Sequence, residues 1–210
     1  IILNPDVILK KDTIEKIINC PNQIESFAIL APISTDPKYP NYKIKKNVDN
    51  IDFNLPFKVE TVDGFAMVLN LKRINKIESF KNYNYFDEKF FMYLENDDLC
   101  MRLIKEKENI FVLPKAKIKH LGAKSSNIGF EYEKCRNWHW MWSKVYFTKK
   151  FSNKFFVYAK FLPILFIQLF KILIYSIIFN QKKKIIYMLR FSGTYNSLIG
   201  NKSWYRPIQK

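Results

Sequence analysis

The sequence predicts an α/β fold followed by a basic, apolar helical region, on three observations. Short apolar strand-like runs alternate with helical runs through residues 1–150. Positive charge is concentrated in the last third of the chain. A 19-residue apolar run stands near the C-terminal end, from Phe161 to Phe179. The predicted division is 1–150 as the α/β portion and 151–210 as a helical membrane-association region.

Ile1-Ile2-Leu3 reads as a buried strand that ends at Asn4-Pro5-Asp6, where Pro5 stops pairing and Asp6 stands at a sheet edge. Lys11 to Asn19 carries Ile14, Ile17 and Ile18 at helical spacing, with Asp12 or Thr13 as N-cap. Phe27 to Ile33 is a short apolar strand. Residues 34–56, rich in Asp, Pro, Asn and Lys, read as one long loop. Lys58 to Val62 alternates as a strand, Asp63-Gly64 turns, and Phe65 to Leu69 returns as strand or helix start. Asn82 to Phe86 is loop, and Glu95 to Lys105 is helical. Asn109–Leu113 and Ala116–His120 are two strands separated by Pro114. Residues 131–150 form an aromatic, basic helix.

Within 161–179, Gln168, Lys171 and Tyr175 fall on one helical face. A spanning helix would hold Lys171 near the bilayer centre, at a cost of about 2.5–3.5 kcal/mol. An in-plane helix avoids that cost, and Lys182-Lys183-Lys184 follows directly to meet anionic head groups. The predicted placement is on the membrane rather than across it.

The 210 residues are 48% apolar and carry a net charge of +16. Residues 134–210 hold 15 basic side chains and no acidic one. Such asymmetry points to a polyanionic partner, an anionic membrane or a nucleic acid. The apolar helix argues against nucleic acid. The five glycines are scattered, with no phosphate-loop pattern. Three cysteines without CxxC spacing give neither a disulfide framework nor a zinc knuckle, and a reducing cytosolic setting is the simpler reading. The opening on Ile1, with no initiator Met, suggests a chain whose upstream part is not included.

The strongest local signal is FDEKFFMYLENDDLCMRL, residues 86–103, with five carboxylates within Asp87–Asp98 among aromatic side chains. Partial desolvation and neighbouring like charge raise carboxyl pKa values, which makes a usable general base. The same acids also suit a helix N-terminus.

This run resembles the FDExFFxYxEDxDLCxRL signature of family-2 glycosyltransferases, especially the bacterial rhamnosyltransferase-like branch. Ile2 to Val7, ILNPDV, is similar to that branch's counterpart of the DxD motif. Val62-Asp63-Gly64-Phe65-Ala66-Met67 resembles the acceptor-side xxGAxM segment. His120-Leu121-Gly122-Ala123-Lys124-Ser125 resembles HxGGxS. The four occur in family order across residues 1 to about 150. The resemblance implies the C-terminal half of a GT-A domain, a Rossmann-like mixed sheet, with the nucleotide-binding half preceding Ile1.

It further implies inverting transfer from a nucleotide-sugar donor to a lipid-linked or polysaccharide acceptor, in cell-surface glycan synthesis at the cytoplasmic membrane face. Asp6 would hold Mg²⁺ or Mn²⁺, with His120 as second ligand or diphosphate contact. Asn4, where many relatives carry the first Asp, together with Asp63, Gly64, Lys124 and Arg102, would bind substrate. The catalytic base falls on Glu95, then Asp98, then Asp97, because the family's second acid is Asn96 here. His120 is equally a capping histidine and Gly64 equally a turn glycine. The aromatic run Arg136 to Trp142 suits sugar stacking, membrane anchoring or core packing. The competing function is a non-catalytic membrane-binding or scaffolding fragment.

Overall fold

The computed structural model describes residues 1–20, 24, 26–37, 39–44, 51–83, 85–122 and 129–206. It is mixed α/β, with a mixed sheet and helices. Two compact units divide it: Ile1–Asp87 with Glu95–Ser126, and Glu88–Leu94 with Asn127–Lys210.

The first unit holds strands β1 (Ile2–Leu3), β2 (Val7–Leu9), β3 (Ile29–Ser34), β4 (Tyr42–Lys43), β5 (Phe57–Lys58), β6 (Thr61–Val62), β7 (Ala66–Leu69) and β8 (Ile110–His120). Its helices are α1 (Thr13–Asn19), α2 (Leu71–Ile74) and α3 (Glu95–Lys105), with a 3-10 turn at Glu78–Tyr83. The main sheet runs β1-β7-β3-β8-β2, and β5 also pairs with β8. Among the described residues, β3 and β8 pair in parallel and the other pairs are antiparallel. Both strands of that parallel pair are heavily buried, as parallel pairing requires. Ile29, Val112, Leu99 and Leu103 join the larger core cluster of this unit.

Three sequence expectations change here. β8 is one strand that runs through Pro114. The register against β3 slips between Pro32 and Ile33, so Pro114 lies in a bulge where no ladder donor is needed. The expected strand Lys58–Val62 is two pieces: Lys58 pairs with Phe111, and Thr61 pairs with Lys43. The expected loop 34–56 contains β4, which exists because β6 offers it an edge. By contrast, α3 occupies the predicted Glu95–Lys105, with Glu95, Asp97 and Asp98 in its first turn, where the helix dipole favours acids. At α1, Asp12 is the N-cap residue but makes no cap bond; Thr13 instead donates its hydroxyl to the Lys117 carbonyl and ties the helix to β8.

The second unit contains α4 (Phe130–Phe151), α5 (Lys154–Ile177) and α6 (Gln181–Leu198). Within this unit α4 packs along α6. The approach is close. A Cβ at Gly193 would overlap the Trp138 carbonyl, so only glycine fits there.

The polar stripe of α5 is covered by α6. Buried Gln168 donates to Thr194 Oγ1 at 3.3 Å, Lys171 Nζ donates to Tyr187 Oη at 3.1 Å, and Tyr175 stacks on Tyr187. Its other face is bare: Phe166 is 69% exposed, Phe170 65% and Leu173 62%. α5 is also the one helix among the described residues long and apolar enough to cross a membrane.

Candidate functional site

The candidate site lies in the first unit, where strand register sets its frame. Val7 is opposite His120, and the Leu121 amide donates to the Asp6 carbonyl at 2.9 Å. This brings Asp6 Oδ2 to 3.4 Å from His120 Nε2. Asp6 is buried, and the His120 ring stacks on Phe65 with centroids 4.2 Å apart. The Asn4 amide donates to the Phe65 carbonyl, and the Asn4 side chain is exposed. Phe65 follows Gly64, so the first, second and fourth resemblance segments meet.

The third segment joins through α3. Asn96 Nδ2 donates to the Val62 carbonyl at 2.7 Å. A Cβ at Gly64 would stand 3.5 Å from Asn96 Cβ, an ordinary contact. Gly64 is therefore beside Asn96 but is not required for space. Asp97 Oδ1 receives Lys43 Nζ at 3.0 Å. Burial pushes the Asp63 carboxyl up; the Lys43 and His120 charges pull it down and Asp97 raises it further. Asp63 is thus within electrostatic reach of both halves of the site.

The three acids of α3 differ sharply. Burial raises the Glu95 carboxyl above the usual carboxylate range; a backbone hydrogen bond opposes this and Asp97 adds to it. Its Oε2 is buried and unpartnered among the described residues. Immediately before it, Tyr93 and Leu94 both have left-handed backbone, φ 67° and 68°. Such strain in non-glycine residues persists only where surrounding structure holds it. Asp98 is fully buried and bonds Arg102 Nε at 2.8 Å. Arg102 also donates to the Tyr85 carbonyl and lies over the Phe80 ring.

Asp98 and Arg102, expected as base and substrate contact, are therefore engaged with each other inside the packing of α3. Lys124 lies outside the described residues. Asp6 meets His120, Asp63 lies within electrostatic reach of His120 and Asp97, and Glu95 stands beside Asp97.

Sequence reading passed over Lys43 and Asn41. Asn41 is buried at φ 77° and donates to the Pro32 and Ala66 carbonyls at 2.7 and 2.9 Å. It locks the turn that presents Lys43. Pro40-Asn41 was the available signal, since Asn tolerates left-handed backbone.

Among the described residues, no three His, Cys, Asp or Glu side chains form a metal-sized cluster. Asp6 and His120 are a two-ligand set. Asp6 Oδ1 and His120 Nδ1 are buried without hydrogen-bond partners among the described residues. Two cis ligands at about 2.1 Å stand roughly 3 Å apart, close to the observed spacing. The pair fits a divalent cation whose remaining positions are filled by water or phosphate oxygens.

In the second unit, the aromatic run packs inward at Trp138, His139 and Trp142, while Trp140 is exposed. Trp138 and His139 are buried, and His139 Nε2 contacts the Tyr205 carbonyl at 2.7 Å. Core packing is the reading the geometry favours for both.

Comparison with protein-family models and with curated proteins finds no match.

Proposed function

We propose that the chain is the acceptor-side and membrane-docking portion of an inverting GT-A glycosyltransferase. It would transfer sugar from a nucleotide-sugar donor to a lipid-linked or polysaccharide acceptor at the cytoplasmic membrane face. The observation that carries this reading is convergence. Four separate segments resembling one family signature meet through Asp6–His120, Phe65–His120 and Asn96–Val62.

The chemistry follows from the residues. The acceptor hydroxyl oxygen forms a bond to the anomeric carbon while the bond from that carbon to the diphosphate oxygen breaks. The bonding pair leaves with the diphosphate, and the hydroxyl proton passes to Glu95. Its raised pKa suits a general base. Asp97 would be the alternate, although Lys43 already holds it. Lys43, bonded to Asp97, would balance negative charge at the site. Asp6 and His120 are the residues that would hold Mg²⁺ or Mn²⁺, which when bound neutralises the leaving diphosphate.

Membrane docking rests on α5. Its polar stripe packs against α6, and its apolar face stays exposed among the described residues of the second unit. An anionic lipid surface matches that face and the absence of acidic residues after Glu133. α6 beside it carries Lys182, Lys183, Lys184 and Arg190, which favours lying in the interface over crossing.

The test is nucleoside diphosphate release by the full-length protein, with a panel of nucleotide sugars and Mg²⁺ or Mn²⁺. Release that depends on a membrane acceptor and is lost in Glu95→Gln supports the proposal. A second reading, a non-catalytic membrane scaffold, is favoured by Asn96, whose amide serves the backbone where the family signature has an acid. Absence of sugar-nucleotide binding would support that scaffold instead.

A further inference from the structure

A groove in the second unit remains outside the function just described. It consists of two adjoining cavities, of about 400 and 350 Å³. Arg190 and Glu133 line both. Arg136 and Trp140 line the first, while Lys182 and Lys183 line the second. The α4 contributions Glu133, Arg136 and Trp140 recur at three- and four-residue spacing, so they form one stripe. Lys182, Lys183 and Arg190 form the facing rim on α6.

Three features mark this groove as a receptor for anions. First, four cations face one carboxylate, Glu133, and no ion pair holds Arg136, Arg190, Lys182 or Lys183 among the described residues. Second, both guanidiniums are positioned by neutral partners. Arg136 Nε donates to Tyr93 Oη at 2.6 Å, and Arg190 Nε donates to Asn137 Oδ1 at 2.7 Å. Each keeps its terminal nitrogens and full charge for a ligand, and the planar fork suits phosphate oxygens. Third, Lys182 and Lys183 occupy the first turn of α6, where no acid balances them. Cations at a helix N-terminus oppose the dipole, so this placement weakens the helix unless an anion arrives.

The occupant's other end is indicated by α5. Tyr175 of α5 lines the second cavity and stacks on Tyr187. Lys183 lies over the Tyr175 ring and Lys171 over Tyr187. The groove is thus continuous with the helix whose outer face is bare and apolar. Arg136 and Arg190 line the first cavity and Lys182 and Lys183 the second, and these two pairs of cations suit a head group with two phosphates.

We infer that this groove binds the diphosphate head of a membrane lipid, with the lipid chain on the apolar side of α5. The inference rests on the membrane-docking part of the proposed function and not on its chemistry. It names a diphosphate borne by a lipid, and distinguishes this from a free diphosphate and from general anionic surface charge.

The test is flotation of the full-length protein with phosphatidylcholine vesicles containing either an isoprenoid diphosphate or phosphatidylglycerol at matched surface charge. Tighter binding to the diphosphate vesicles is expected. Arg136→Gln with Arg190→Gln should weaken that binding about tenfold more than the charge-matched pair Lys154→Gln with Lys202→Gln. Lys182→Gln with Lys183→Gln provides a second, surface-only variant whose circular dichroism should match wild type. Equal binding to both vesicles, or a preference that survives both groove variants, overturns the proposal. Inorganic pyrophosphate bound as tightly as the lipid overturns the lipid source. Preference for diphosphate vesicles without any glycosyl transfer would leave the groove standing and remove the enzymatic reading.

Discussion

Asn96 donates its side-chain amide to the Val62 carbonyl at 2.7 Å, joining the start of α3 to the segment that carries Asp63 and Gly64. An aspartate at 96 would lose the donor and add a buried charge beside Asp97. Asn96→Asp is expected to destabilise the protein by about 2–3 kcal/mol at neutral pH. The loss should shrink below about pH 4, where a protonated carboxyl regains a donor. Urea unfolding at the two pH values checks both the size and the direction.

Asp98 and Arg102 form a second link within α3, and here the charge itself is buried. Arg102→Ala would leave the Asp98 carboxylate without its guanidinium and is expected to cost about 3–5 kcal/mol. Removing both charges in Asp98→Leu/Arg102→Met should cost less than the single change. Thermal unfolding of the three variants measures this. A double variant as unstable as Arg102→Ala would show that the pair's geometry, not its charge balance, is what α3 needs.

Glu95 connects stability to activity. Its carboxyl is raised by burial, so the folded state holds the proton more tightly than the unfolded chain does. The sign follows from linkage: stability falls as pH rises from the ordinary carboxyl value of 4.5 through the folded pKa. Glu95→Gln removes that dependence and should be more stable than wild type at pH 7. The same substitution should lower transfer about 100-fold or more, since the base is gone. Wild-type turnover should rise with pH along an apparent pKa above 4.5, and the residual rate of the variant should not. A pH–rate profile alongside denaturation curves tests the two halves separately.

The contrast among these acids explains how far the sequence could be read. The existence and limits of α3 were legible because acids at its start and apolar spacing agree. The roles of Glu95, Asp97 and Asp98 were not. Glu95 and Asp98, three apart, lie on similar helix faces and Asp97 on another, and the differences among the three come from Arg102, Lys43 and burial. Asp6 and His120 were legible only as separate candidates, because their meeting depends on the β2–β8 register. Lys43 was hidden in a polar loop with no period, and its position depends on Asn41 bonding two distant carbonyls. Pro114 resembles a strand break in the sequence, which shows that proline lacks a donor but not that its partner strand needs none there.

Gly193 marks the closest approach of α6 to α4. Gly193→Ala would improve helix propensity by about 1 kcal/mol in isolation. The Trp138 carbonyl has no flexible side-chain end to give way, so the helices must separate. A net loss of about 1–3 kcal/mol is expected, with the protection of α4 and α6 amides falling together. Hydrogen exchange resolved by segment provides the measurement. Unchanged protection would mean that the helices accommodate a methyl without shifting.

On α5, the polar and apolar faces make opposite predictions. Gln168 and Lys171 are bonded to α6, so replacing them should reduce stability in solution. Phe166 and Phe170 touch mainly solvent, and Phe166→Ser with Phe170→Ser should leave the unfolding temperature nearly unchanged. Yet burying a large apolar side chain in the acyl boundary stabilises docking by about 1.5–3 kcal/mol. Removing two should weaken partitioning to anionic vesicles by more than about 100-fold. The comparison separates a membrane face from a folding face, because a packed core residue would alter both quantities. Binding that persists in the double variant would assign docking to the cations alone, and raising salt would then abolish it.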